Sequence, residues 1–213
     1  MLRRYRDGRE PTTVENEAQV MAHARSCGVP VPEVFDVSGP DIVMERATGP
    51  TMLDVLASRP WTVRAQATLL ARLHGLVHRV PAGDLPLRAP YGDPADGDVL
   101  LHRDLHPLNV ILTADGPKII DWEGAARGPA VADAAMTWVI VKFSDVPGSR
   151  VKVIATTGVQ GAFTRAFLRA AGPVDESWRL IAVRHRLTDH NLLPSEAARL
   201  KRLVPASSAA PTD

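Results

Sequence analysis

Apolar positions along this chain recur at two periods, and the switches between them divide it. Val14, Ala18, Met21 and Ala22 fall at helical spacing and predict a helix over 14–26, stopped by Gly28 and Pro30. Leu2 to Tyr5 predicts a short strand with Asp7-Gly8 as the turn after it. Val34–Val37 and Ile42–Arg46 flank the polar stretch Ser38-Gly39-Pro40-Asp41 and predict a hairpin. From Thr51 the pattern turns helical, first over 52–57 and then over 63–77, where leucines stand at 69, 70, 73 and 76. Pro, Gly and Asp crowd residues 81–97 and predict a surface loop. Further helices are expected near 132–143, 151–171 and 175–191, followed by a frayed tail from Pro205. The expected fold class is therefore α+β. Residues 1–48 form a small lobe of antiparallel sheet plus helix, 49–204 a larger and mostly helical lobe, and 205–213 a flexible tail.

Composition narrows the function classes. With 25 Lys and Arg against 24 Asp and Glu, no uniform field points to nucleic acid or to an anionic membrane. No apolar run approaches the roughly 20 residues needed to cross a bilayer. Cys27 is the single cysteine, so an intrachain disulfide is excluded, and a cytoplasmic protein is expected. The basic start MLRRYRDGRE lacks the apolar stretch of a secretory signal and is expected to be part of the fold.

The chemistry concentrates in Val99–Glu123, VLLHRDLHPLNVILTADGPKIIDWE. Two β-type runs, Asn109–Thr113 and Lys118–Asp121, flank the turn signal Ala114-Asp115-Gly116-Pro117 and are expected to pair antiparallel. That pairing sets Thr113 near Lys118 and brings Asn109 alongside Asp121 or Trp122, at the end where the loop carrying Asp104 begins. A carboxylate beside an amide oxygen suits Mg²⁺, which takes few protein ligands when phosphates complete its shell, so Asn109 and Asp121 are the candidate metal ligands. A second carboxylate, Asp104, could take the proton of an attacking hydroxyl and hold it in line with a phosphate. Each of these residues taken singly also fits a turn or a strand-end cap.

His102-x-Asp104, Asn109 five residues later and the run Ile120-Asp121-Trp122-Glu123 together resemble the catalytic and metal-binding segments of the protein-kinase-like superfamily. The wording here, HRDLHPLN then IIDWE, is similar to that of aminoglycoside phosphotransferases, fructosamine kinases and choline kinases. The resemblance covers most of the chain and implies a protein-kinase-like fold. It assigns Asp104 as catalytic base, Asn109 and Asp121 as Mg²⁺ ligands, and His102 and His106 as supports of the loop. It makes Asp133, in GPAVADAA, a structural acceptor for that loop's backbone. Glu17 resembles the helix glutamate that pairs with a basic residue on the preceding strand, with Glu15 as competitor. The backbone around Met44, Glu45 and Arg46 resembles the segment that hydrogen-bonds adenine.

Two departures from the family pattern shape the expectations. Arginine stands where a lysine grips the phosphates, with Arg3 the expected residue and Arg4 the alternative; a guanidinium keeps the charge but changes the geometry. The chain also starts at that strand, which predicts a nucleotide site without a glycine-rich lid and an exposed strand edge prone to homodimerisation. The implied reaction moves the terminal phosphate of ATP, ahead of GTP, to a hydroxyl of a small molecule such as an aminoglycoside-like antibiotic or a metabolite. Asp93, Asp96, Asp98, Glu123, Asp145, Asp189, Glu196, Trp138 and Trp178 are the candidate acceptor contacts. One alternative is a catalytically impaired, kinase-like nucleotide-binding or scaffold protein. Another is a metallohydrolase using His102, Asp104 and His106 as ligands.

Overall fold

The computed structural model describes residues 1–5, 11–91, 97–145, 150–189 and 192–204, the side chains of 11–12 and 150–157 excepted. The predicted turn at Asp7-Gly8 and the tail from Pro205 lie outside them.

Strand β1 (Leu2–Arg4), helix α1 (Pro11–Ser26) and strands β2 (Val34–Ser38) and β3 (Asp41–Met44) come first. The strands form an antiparallel sheet in the order β1-β3-β2, which leaves β1 at an edge. Helix α1 starts three residues earlier than expected, at a proline whose fixed φ suits a first turn. Just beyond its last residue, Gly28 turns the chain away with a φ of 86° that lets Val29 N–H return to the Ala24 carbonyl at 3.0 Å.

The segment after β3 is strapped to the rest of the molecule. Leu112 N–H donates to the Pro50 carbonyl at 2.9 Å. Gly49 passes so close that a Cβ there would stand 2.1 Å from the Leu112 carbonyl oxygen, which leaves room for glycine alone. Ile119 N–H likewise donates to the Pro30 carbonyl at 2.8 Å, tying the loop after α1 to the same hairpin.

Helix α2 (Met52–Ser58) opens with a capping box: Thr51 Oγ1 accepts from Asp54 N–H at 3.0 Å, and Asp54 Oδ2 accepts from Thr51 N–H at 2.9 Å. Helix α3 (Val63–Val77) matches its predicted span and buries Leu70, Leu73 and Val77 on the face that meets α5. Strands β4 (Val99–Leu101) and β7 (Ala126–Gly128) pair antiparallel around the hairpin of β5 (Val110–Thr113) and β6 (Gly116–Ile119). Helices α4 (Ala130–Phe143), α5 (Arg150–Ala171), α6 (Glu176–Arg186) and α7 (Pro194–Lys201) complete the fold. The buried core is continuous, running from Met21 of α1 and Ile42 of β3 through Met52 and Leu73 to Phe163 and Phe167 of α5. Among the described residues, no helix is long and apolar enough to cross a membrane.

The hairpin register departs from expectation. Thr113 faces Gly116, Ile111 faces Lys118 and Val110 faces Ile119. The turn consists of Ala114-Asp115 alone because Thr113 Oγ1 closes it, donating to the Gly116 carbonyl at 2.7 Å and accepting from Asp115 N–H at 3.2 Å. Asn109 therefore lies opposite Ile120, whose N–H donates to the Asn109 carbonyl at 3.0 Å, one residue short of Asp121.

Candidate active site

The loop from His102 to Asn109 is held from within and from behind. Both nitrogens of the fully buried His102 are engaged. Nδ1 accepts from Asp104 N–H at 3.3 Å, so the proton resides on Nε2, which donates to the Ile120 carbonyl at 3.0 Å. Burial pushes this imidazole below its ordinary value and keeps it neutral. With both nitrogens used in this way, His102 cannot join Asp104 and His106 around a metal, and the metallohydrolase arrangement is not formed.

Asp133, 0% exposed on α4, grips the loop with both oxygens. Oδ1 accepts from Arg103 N–H at 2.6 Å, and Oδ2 accepts from His102 N–H at 3.1 Å and faces His78 Nε2 at 3.1 Å. Burial raises this carboxyl, but the His78 hydrogen bond and the surrounding histidines outweigh it and hold Asp133 well below the usual range. Arg103 adopts φ 67°, a left-handed backbone costing about 1–3 kcal/mol that persists because Asp133 fixes its N–H.

At the front of the loop, His106 caps a short 3₁₀ turn (Pro107–Asn109), its Nδ1 accepting from Leu108 N–H. Its Nε2 therefore carries the proton and faces Asp104 Oδ1 at 3.3 Å. Asn109 Nδ2 donates to the Asp104 carbonyl at 2.8 Å and to Asp104 Oδ2 at 3.0 Å. Burial raises the Asp104 carboxyl, yet these donors and the two histidines win, leaving it below its ordinary value and ionised at neutral pH.

Asp121 sits where β6 gives way to a 3₁₀ turn, in left-handed backbone (φ 67°, ψ 63°) that asparagine and aspartate tolerate better than other side chains. Its Oδ1 accepts from Arg3 Nη2 at 2.7 Å. Arg3 Nη1 meets Glu17 Oε1 at 2.9 Å, so one guanidinium on β1 spans α1 and the 121–123 segment. Arg4 points elsewhere, forming a bidentate pair with Asp41 at 2.8 and 2.6 Å, and Glu15 is exposed. Between the alternatives read from sequence, geometry brings Arg3 and Glu17 together.

Glu17 is 3% exposed and its Oε2 lacks a hydrogen-bond partner. Burial pushes its carboxyl up to about 7 despite Arg3, and nearby Asp121 and Glu123 add to the rise. The folded protein thus keeps a proton that the unfolded chain releases near 4.5, so the contribution of Glu17 to stability is lost as pH climbs from 4.5 to 7. The full effect is about 3 kcal/mol. Urea unfolding of the parent and of Glu17→Gln at pH 5 to 8 is expected to show the parent losing stability relative to the variant as pH rises; parallel profiles would refute the buried-proton account.

Of the segment expected to meet adenine, Met44 N–H and carbonyl are occupied by Met1, at 2.8 and 2.6 Å, and Glu45 N–H donates to Glu33 at 2.7 Å. The Glu45 side chain pairs with Lys118 at 3.0 Å. Among the described residues, no hydrogen bond uses the Glu45 carbonyl or Arg46 N–H.

A cavity of about 420 Å³ opens over Asp104 and Asp121 and is also lined by Arg103, Glu123, His185 and Asp189. Arg103 and His185 escaped the sequence reading. Arg103 stacks over Tyr91 with its Cζ 5.8 Å from the ring centre and hydrogen-bonds His185 of α6, a contact between residues 82 apart that no local pattern announces. Of the proposed acceptor contacts, Glu123 and Asp189 line this cavity. Asp98 pairs with Arg127, Asp145 with Arg199, and Glu196 is buried beside Arg186. Trp138 is buried with Lys142 and Arg179 over its ring, Trp178 packs edge-on against Tyr91, and Asp93 and Asp96 lie outside the described residues.

Solved structures share this architecture. A thermostable mutant of aminoglycoside phosphotransferase APH(4)-Ia, in a ternary complex with ADP and hygromycin B, superposes with TM-score 0.59 at 16% identity, covering 93% of this chain and 84% of that one. A choline/ethanolamine kinase family protein from Mesorhizobium loti gives 0.55 at 16% identity, covering 97% and 82%. Amicoumacin kinase hAmiN, in complex with AMP-PNP, Ca²⁺ and Ami, gives 0.53 at 15% identity, covering 92% and 77%. At such identities the likeness establishes the kinase-like α+β fold. A curated relative, a probable bifunctional tRNA threonylcarbamoyladenosine biosynthesis protein of Methanoculleus marisnigri, is 42% identical over 71 residues, which are 32% of this chain and 12% of that protein. The model of the phosphotransferase enzyme family, APH, matches residues 1–98 and 90–182, and the chain belongs to that family.

Proposed function

We propose that the protein transfers the terminal phosphate of ATP or GTP to a hydroxyl of a small molecule, with Asp104 as the base. The observation that carries this reading is the placing of Asp104 and Asp121 at one 420 Å³ cavity, with Asn109 hydrogen-bonded to Asp104 behind it and Asp104 ionised with both its oxygens already oriented. An acceptor hydroxyl in the cavity donates its proton to Asp104 as its oxygen bonds the phosphorus and the bond to the departing nucleoside diphosphate breaks.

Asp121 and Asn109 offer the hard oxygen donors that Mg²⁺ prefers, and the Asp121 carboxylate, 41% exposed at the cavity, is accessible to a cation. Bound Mg²⁺ would neutralise phosphate charge. Arg3 supplies a bidentate donor for phosphate oxygens and is anchored by Glu17. The Glu45 carbonyl and Arg46 N–H are the groups offered to adenine. In this scheme residues 1–48 are the nucleotide lobe and 49–204 the catalytic and acceptor lobe of a cytoplasmic enzyme.

The 2.7 Å Arg3–Asp121 contact favours a second reading, a nucleotide-binding protein of low turnover, because a cation must displace the guanidinium to reach Oδ1. Calorimetric titration with ATP and GTP, with and without Mg²⁺, tests the shared part. Magnesium-dependent binding is expected, weakened by about 10- to 100-fold in Asp121→Asn through loss of one charge-assisted contact. Absence of binding, or binding indifferent to Mg²⁺, would defeat both readings; binding without turnover on any acceptor would select the second.

A further inference from the structure

A second cavity, of about 260 Å³, lies where α3 meets the start of α4 and the end of α5, lined by His74, Gly75, His78, Ala134, Ala171 and Gly172 among others. His74 on the last turn of α3 and His78, the residue that caps that helix, stand one turn apart with ring centres 5.3 Å from each other. Asp133 Oδ2 lies 3.1 Å from His78 Nε2 and 3.6 Å from His74 Nδ1. One ligand atom from each of the three residues lies within 4.8 Å of the others.

The tautomer of His74 follows from its neighbours. Thr137 Oγ1 has one proton and gives it to the Leu105 carbonyl at 2.7 Å, so it accepts from His74 Nε2–H at 2.9 Å. The lone pair of His74 is thereby fixed on Nδ1. That atom is buried in a side chain 2% exposed and has no hydrogen-bond partner, a costly arrangement for an imidazole nitrogen.

We infer that His74 Nδ1, His78 Nε2 and Asp133 Oδ2 form a site for a transition-metal dication of the Zn²⁺ class, with a water from the adjoining cavity as fourth ligand. A tetrahedron with metal–ligand bonds of 2.0–2.1 Å has edges of roughly 3.3–3.4 Å. The 3.1 and 3.6 Å separations bracket that length. Two imidazoles and one carboxylate favour Zn²⁺ over Mg²⁺, which seeks oxygen. Thr137 orients His74 through its other nitrogen, the usual support of a ligating histidine. To coordinate through Nε2, His78 would carry its ring proton on Nδ1. Because Asp133 also grips the backbone at His102 and Arg103, the ion would brace the loop that carries Asp104 without touching the nucleotide cavity.

The test is Co²⁺ titration of the chelator-treated full chain, followed by visible absorption. An intense spectrum of tetrahedral type, erased by one equivalent of Zn²⁺, is expected. His78→Gln should lose it and bind Co²⁺ at least about tenfold more weakly, whereas His23→Gln, outside the cluster, should retain it. Thermal melts in the metal-free state show whether the His78 variant folds. If it does not, His74→Gln serves as the second variant. A weak, octahedral-type spectrum, no uptake, or an unchanged spectrum in both cluster variants would overturn the site.

Discussion

Asp104→Asn is expected to lower turnover by about 10²- to 10⁴-fold, the range associated with removing a positioned general base, while Mg-nucleotide affinity stays within about twofold. The substitution keeps the size of the side chain and an oxygen for the hydroxyl to meet, but asparagine cannot take a proton. Asn109 and His106 both donate toward Asp104, so an amide that presents NH₂ to either must turn or lose a partner. That local cost falls on the loop and leaves Asp121 and Arg3 untouched. Single-turnover kinetics beside calorimetry separate the two effects. A variant that loses nucleotide affinity as much as rate would show that Asp104 shapes the binding site and is not its base.

Replacing Asp133 by alanine is expected to have the largest effect on stability. The change strands two loop amides and the His78 N–H around a carboxylate that is itself fully buried, and breaking a buried charged network costs about 3–5 kcal/mol. For a protein of this size that corresponds to a fall in Tm of about 10 °C. Because the folded value of Asp133 is depressed, its contribution is complete above its ordinary 3.8 and is lost as pH falls below that. The gap between parent and Asp133→Ala melts should therefore narrow in acid. A gap that is small at pH 7, or constant down to pH 3, would contradict this role.

Much of this was legible in the sequence because the signals were local. The leucine stripe of α3 gave its span to the residue, and the turn signal Ala114-Asp115-Gly116-Pro117 marked the hairpin. The 17-residue interval between Asp104 and Asp121 is short enough for one hairpin to bring the two together. The pairing of Arg3 with Glu17 was implied by the family resemblance, with Arg4 and Glu15 left open, because no local pattern separates the neighbouring charges. What escaped was non-local or weakly patterned. Strands β4 and β7 have three residues each and pair across the whole catalytic segment, too short for a period to show. Helix α7 was missed although Pro194 occupies its first turn, because few of its residues are buried. Helix α6 stops at Arg186, earlier than its polarity suggested, where Arg186 turns to Asp189. The turn register slipped because nothing in the sequence says that the Thr113 hydroxyl, and not Gly116, closes it.

The two backbone straps, Pro30 to Ile119 and Pro50 to Leu112, have a mechanical consequence. They fasten the small sheet to the β5–β6 hairpin on both sides of β2 and β3 and so couple the frame carrying Arg3 to the frame carrying Asp121. Shifting one frame against the other strains both straps, whereas the Arg3 guanidinium, moored to Glu17 at one nitrogen and resting on Asp121 by another, can swing without disturbing either.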